Sequence, residues 1–259
     1  MAAIAVLVLA GLVVVNRFHF GRGMSASTDT SQQPPEAENR KLRKDGFDKL
    51  FEPGRVNVGH NPYDLTVHDT GLLDLPSGKL LAGDPYLLAD DRPNELSPFV
   101  VTVPPGRYPV SVSMVLESTT PTRTPMTPGA RLDKRIAAAR MVVKPEPVVR
   151  WQMAFIATDD PAKLKDNEFY GYGVDAGMGA FTDVTSVDAI KRVGEENGLL
   201  DKVDTDEAAA WNVRDPISDR NVVAFHSGFG DGAYPTWIGY TAANEPAVFV
   251  TDFLVVDVP

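Results

Sequence analysis

Apolar and polar residues alternate along Val110 to Leu116, with Val110, Val112, Met114 and Leu116 on one face and Ser111 and Ser113 on the other. A two-residue period marks a half-buried β-strand. The same period recurs at Val149, Trp151, Met153 and Phe155, set against Arg150, Gln152 and Ala154. Shorter apolar stretches at Leu65 to His68, Gly71 to Leu75 and Lys79 to Ala82 predict further strands, with Ser77-Gly78 as a hairpin turn. Closing strands are predicted at Asn221 to His226, Tyr234 to Thr241 and Ala247 to Val256. The last is apolar on both faces, as in the middle of a sheet. Ile136 to Val143 fits strand or helix: its three alanines favour helix, its Met-Val-Val ending favours strand. A helix is predicted from a Thr185 or Ser186 cap through Val187, Ile190 and Val193, ending near Gly194 or Gly198. Asp159 to Asn167 reads as a polar turn or short helix, and Lys41 to Leu50 as a short helix broken at Gly46 and ended by Pro53. These elements add up to a β-dominated α+β domain, mostly antiparallel, with one or two short helices.

The polar stretches set the domain limits. Ala2 to Val15 is a run of apolar residues, too short for the roughly 20 residues of a bilayer span. Its basic neighbours, Arg17 and Arg22, follow it instead of preceding it, the reverse of a cleaved signal peptide. A short anchor through residues 2–15, or translation starting at Met24, fits better, and both leave the folded part cytoplasmic, tethered to the inner membrane in the first case. Ser25 to Asn39 lacks large apolar residues and reads as disordered linker. The expected organisation is an apolar segment over 1–23, a linker over 24–45 and one globular domain over 46–259. Thr119 to Gly129, rich in Thr and Pro, is an expected exposed loop, and Asp201 to Glu207 an expected solvated acidic segment.

A formal charge of −10 argues against a nucleic-acid partner, because phosphate binding needs clustered Lys and Arg. With no cysteine in the chain, disulfides, thiolate zinc sites and thiol catalysis are excluded together. What stands out chemically is a pair of glycine-rich stretches, Gly171 to Asp183 (GYGVDAGMGAFTD) and His226 to Trp237 (HSGFGDGAYPTW). Both set Asp residues between glycines and aromatics. Tyr172, Phe181, Phe229, Tyr234 and Trp237 either pack over the bare glycine backbone or wall a shallow pocket. The binding candidates are Tyr172, Asp175, Asp183, His226, Asp231, Tyr234 and Trp237.

His226 and Asp231 are the candidates for catalysis, His226 as general base. Asp175, Asp183, Asp231 and Asp252 are the candidate ligands for a calcium or magnesium ion, the hard cations that carboxylates suit. Asp252 interrupts an otherwise apolar strand face. It must be hydrogen-bonded, paired, metal-bound or protonated, since a bare buried charge is very costly. No cofactor is called for beyond such an ion. Gly171-Tyr-Gly173-Val-Asp-Ala176 fits a dinucleotide fingerprint only formally, because Gly177 and Gly179 follow where its helix would begin. Asp201 to Glu207 lacks the glycine and the spaced Glu of an EF-hand loop.

Taken in order, Gly78 to Pro85 (GKLLAGDP), Pro104 to Val110 (PPGRYPV), Arg135 to Val143 (RIAAARMVV) and Val148 to Phe155 (VVRWQMAF) continue into the two glycine stretches and Val250 to Val256 (VTDFLVV). This series resembles a mainly bacterial family known as domain of unknown function 4241, from about Asp64 onward. The resemblance implies no activity; it does imply that the first sixty residues are an addition to the common domain. Two functions fit the residues. One is a non-catalytic module that binds a protein or small-molecule partner through the two glycine loops. The alternative is a divalent-metal-dependent hydrolase built on the four aspartates with His226.

Overall fold

The computed structural model describes residues 6–9, 12–16, 42–89, 97–118, 133–194, 198, 200 and 209–257. The expected linker over Ser25–Asn39, the Thr/Pro loop at 119–129 and the acidic segment at 201–207 lie outside them. Among the described residues the fold is α+β and β-dominated, with fifteen strands in three sheets and two short α-helices. The largest sheet contains β3 (Gly54–Val58), β4 (Asn61–Leu75), β6 (Gly106–Glu117), β7 (Lys134–Val142), β15 (Pro246–Asp252), β14 (Thr236–Tyr240) and β8 (Arg150–Met153), in that spatial order and antiparallel throughout. A second sheet orders β11 (Ala210–Arg214), β12 (Asn221–His226), β10 (Met178–Asp183) and β5 (Leu80–Gly83). The third carries β9 (Glu168–Val174) beside β13 (Gly232–Tyr234); β1 (Val6–Leu9) and β2 (Leu12–Asn16) form a hairpin whose second strand runs parallel to β9. No helix among the described residues is long and apolar enough to cross a membrane.

The core lies in three layers. Between the sheets, Leu65, Val110, Val112 and Phe249 of the large sheet meet Phe181, Val223 and Phe225 of the second. Helix α2 (Val187–Gly194) covers the outer face of the second sheet with Ile190 and Val193, against Ala180, Val222 and Ala224. The outer face of the large sheet is covered by a 3-10 turn, Phe47–Phe51, through Phe47, Leu50 and Phe51. Leu42 and Arg43, inside the segment read as linker, are already buried at 2% and 4% exposure.

Several local expectations change for identifiable reasons. The β6–β7 register shifts between Ser113 and Met114, with Ala137 the extra residue on β7, and the inward phase of β6 moves by one residue there. Val115 becomes fully buried and Leu116 turns outward, at 37% exposed, where simple alternation put it inside. The Ser77-Gly78 turn is present but does not make a hairpin, because β4 and β5 belong to different sheets. Its glycine is required: φ is +69°, and a Cβ there would lie 1.9 Å from the Val103 carbonyl oxygen. Ile136 to Val142 is strand, with both faces buried over Ile136 to Ala139, where Ala137, Ala138 and Ala139 are small enough for neighbours to close over them. The expected Tyr234 to Thr241 strand divides at Pro235 into β13 and β14, which join different sheets.

Helix α2 is tied to the β11–β12 connection by a buried carboxylate. Arg192 donates to both Asp215 oxygens, Nε to Oδ1 at 2.8 Å and Nη2 to Oδ2 at 2.6 Å, and Ser218 N–H adds a third bond at 2.8 Å. The Arg192 guanidinium holds the Asp215 carboxyl well below the usual carboxylate range, and the Ser218 and Ile217 amides help. A carboxylate depressed in the folded state contributes stability that is full above its unfolded value of about 3.9 and fades as pH falls toward the folded one. Asp215→Asn is therefore expected to melt below the native chain at pH 7. The gap should narrow progressively below about pH 4, as read by thermal unfolding across the acid range.

Candidate functional site

The two glycine stretches meet at one end of the second and third sheets. β9 and β10 turn at Asp175–Gly177, while β12 and β13 are joined by Ser227–Asp231. Pairing Met178 with His226 and Val174 with Gly232 sets the tips of the two loops side by side. Ser227 N–H then donates to the Gly177 carbonyl at 3.0 Å, and Gly177 N–H to Asp231 Oδ1 at 2.9 Å. Tyr234 braces the second loop from beneath, its hydroxyl 2.7 Å from the Gly230 carbonyl and 3.1 Å from that of Ser227. Only glycine permits this approach at two points. A Cβ on Gly171 would lie 2.7–2.9 Å from Tyr234 backbone atoms. At Gly228, φ is +49° and a Cβ would press within 3.0 Å of Phe253 and Val255.

The first loop has a hidden anchor. Asp84, 1% exposed and directly before helix α1 (Pro85–Ala89), accepts from Asp175 N–H at 2.9 Å and Ala176 N–H at 2.8 Å on Oδ2, and from Tyr86 N–H at 2.9 Å on Oδ1. Burial pushes its carboxyl up, and these amides act in the opposite direction. In the sequence Gly83-Asp84-Pro85 reads only as a break between elements. The grip of Asp84 on amides about ninety residues away is not legible there.

Together the loops wall one side of a cleft of about 420 Å³. Its opposite side comes from β6 and β7, through Met114, Lys134, Arg135 and Ile136; His226 and Phe229 line it from the second loop. Arg135 is fixed on three sides. Nε donates to Asp133 Oδ2 at 2.8 Å, Nη1 to the Gly228 carbonyl at 3.3 Å, and the guanidinium lies 4.4 Å above the Phe229 ring centre. Asp133 is held in turn by the Tyr63 hydroxyl at 2.8 Å. The sequence signal for this arrangement is Asp133-x-Arg135, a carboxylate just ahead of β7 and a guanidinium two residues on.

The predicted residues scatter around this cleft. His226 lines it, half-buried, its ring edge-on to Trp211 at 5.1 Å. Asp231 sits on the rim and is largely exposed, but partial burial of its carboxyl pushes it up; the Gly177 N–H opposes this, and the like charge of Asp175 adds to it. Its carboxylate faces Gly177, and no hydrogen bond joins it to His226 among the described residues. Tyr172 and Tyr234 are buried, and burial pushes both phenols far up, so neither exchanges a proton near neutrality. Trp237 lies on the outer face of the large sheet, stacked on Phe47 at 4.8 Å, away from the glycine loops.

The four aspartates are not brought together. Asp183 is fully buried and accepts from Ser77 N and Oγ on one oxygen and from Thr185 N and Oγ1 on the other, which locks the entry to α2. Asp252 is 2% exposed, pairs with Arg43 at 3.7 Å and accepts from Leu254 N–H at 2.8 Å. Asp175 is exposed at its loop tip. Among the described residues, no group of three or more His, Asp or Glu is placed to hold a metal ion.

No curated protein and no solved structure matches this chain. A family model does, over residues 73–251, a span that contains every residue named as lining the cleft and more than half of the chain. The chain therefore belongs to the family described as protein of unknown function (DUF4241).

Proposed function

We propose that this protein is a non-catalytic binding module and that the cleft between the glycine loops and the β6–β7 pair is its binding site. The observation that carries this reading is the cross-bracing of the cleft walls: Asp84, Asp231, Tyr234 and Arg135 each tie down a glycine-loop backbone group. A preformed concave site of this size, with an apolar floor and a few fixed polar groups, suits a small ligand. Two side chains that flank the candidate base His226 are otherwise engaged. Ser227 Oγ donates to the Gly230 carbonyl at 2.9 Å, and Asp231 faces a backbone amide instead of His226. The alternative of a metal-dependent hydrolase has less support, because Asp183 and Asp252 spend their oxygens on Ser77, Thr185, Arg43 and Leu254.

The test pairs binding with turnover. The protein and Phe229→Ala are screened by thermal unfolding against metabolite-sized acids, phosphates, amines and neutral aromatics, and both are assayed on p-nitrophenyl acetate and p-nitrophenyl phosphate. A ligand that binds the native state raises the midpoint in a concentration-dependent way. The expected result is a saturable shift that Phe229→Ala abolishes, with no turnover. Hydrolysis of either ester that His226→Ala removes would overturn the reading.

A further inference from the structure

Resting on that binding reading, we infer that the cleft takes a small oxyanion, a carboxylate or phosphate carried on an apolar body, with the Arg135 guanidinium as its anchor. Among the described residues, the charge lining the cleft is opposite to that of the chain. Against a formal −10 overall, its charged lining residues are Lys134 and Arg135, beside His226, and no carboxylate lines it among the described residues. Three acids stand beside the lining: Asp133 is paired with Arg135 through Nε, Asp231 receives the Gly177 amide, and Asp175 is exposed at the tip of the first loop.

Arg135 has the form of a prepared anion receptor. A guanidinium presents five N–H donors in a planar fork that matches carboxylate and phosphate. The bonds to Asp133 and Gly228 engage two of them. Stacking on Phe229 fixes the plane, and the Tyr63–Asp133 contact fixes the edge, so little side-chain freedom is left to lose on binding. The floor beside it is apolar, from Met114, Ile136, Ala209 and Phe229, which requires a ligand with an uncharged body as well as an anionic end. About 420 Å³ admits a metabolite-sized molecule.

The test titrates benzoate, phenyl phosphate and neutral benzyl alcohol into the full chain while following amide resonances of Gly228, Phe229, Gly230 and His226. Benzoate or phenyl phosphate should shift these amides saturably, at concentrations at least tenfold below those benzyl alcohol needs. Whichever of the two binds tighter identifies the anion. Arg135→Gln should erase the preference for the anion, with amide positions remote from the cleft unchanged, and the exposed Lys134→Gln should weaken anion binding a few-fold. If benzyl alcohol binds the unaltered protein as well as the anions do, the oxyanion assignment fails while the binding reading stands. If neither anion moves the cleft amides, the oxyanion assignment fails outright, whatever other ligand the wider screen finds.

Discussion

Phe47→Ala is expected to destabilise the protein by about 3–5 kcal/mol, the range for removing a buried phenylalanine from a well-packed site. The ring is fully buried, stacks on Trp237 at 4.8 Å and meets Trp151 edge-on at 4.9 Å. Aromatic pairs of this kind contribute about 0.5–1.5 kcal/mol beyond their buried area, so the upper half of the range is favoured. For a chain of this size the unfolding midpoint should fall by about 10 °C or more. Ile217→Ala is the control, since that side chain is 76% exposed and its loss should stay within about 0.5 kcal/mol. Phe47 lies outside residues 73–251, so the experiment also asks how far the span that matches the family depends on a covering turn outside it. A loss below about 1 kcal/mol in chemical denaturation would mean that the turn is detached in solution.

That covering turn illustrates what the sequence can and cannot carry. Gly46 was readable as a break, and it adopts φ +67° at the start of the 3-10 turn. Leu42, Phe47 and Leu50 were readable as an apolar set, but nothing local says that they pack onto β14 and β15 some two hundred residues later. Apolar patterning located much of β6, β8, β12, β14 and β15, but β3, β9, β10 and β11 pair just as regularly and were not predicted; β9 and β10 run through the first glycine-rich stretch, which reads as loop. Alternation also failed at Ser113–Met114, where the β6–β7 register slips past Ala137 and the inward phase moves, and at Pro235, where one apparent strand feeds two sheets. The glycine loops were legible as neighbours because bare backbone implies close approach. Their neighbour across the cleft was not: Arg135 reads as an ordinary charged strand residue until β7 is set opposite Gly228. Acidic residues misled for the same reason. Asp183 and Asp252 look alike in sequence to metal ligands, and only tertiary contacts reveal that Ser77, Thr185 and Arg43 occupy them.

The Arg43–Asp252 pair should give the second large effect, with a sign that depends on how it is broken. Both side chains are almost wholly inaccessible, at 4% and 2% exposure, and their closest approach is 3.7 Å. Arg43 also donates from Nη2 to the Asp257 carbonyl at 3.1 Å, which fastens the start of the described domain to its end. Asp252 accepts from Leu254 N–H, a local turn that supports Leu254 at φ +56°, a conformation ordinarily unfavourable for leucine. Removing one partner of a buried pair strands the other charge in a poor solvent, at a cost of about 3–5 kcal/mol. Asp252→Leu is therefore expected to lose that much by chemical denaturation, because it leaves the Arg43 guanidinium buried without its carboxylate. Removing both charges takes away the desolvation cost along with the attraction, so a well-packed apolar replacement is often neutral or better. Arg43→Met combined with Asp252→Leu should accordingly recover most of the loss; the residual deficit measures the Leu254 turn, which the leucine at 252 cannot cap. A double variant as unstable as the sum of the two singles would contradict this account, because it would mean that each charge is held by partners other than the opposite one.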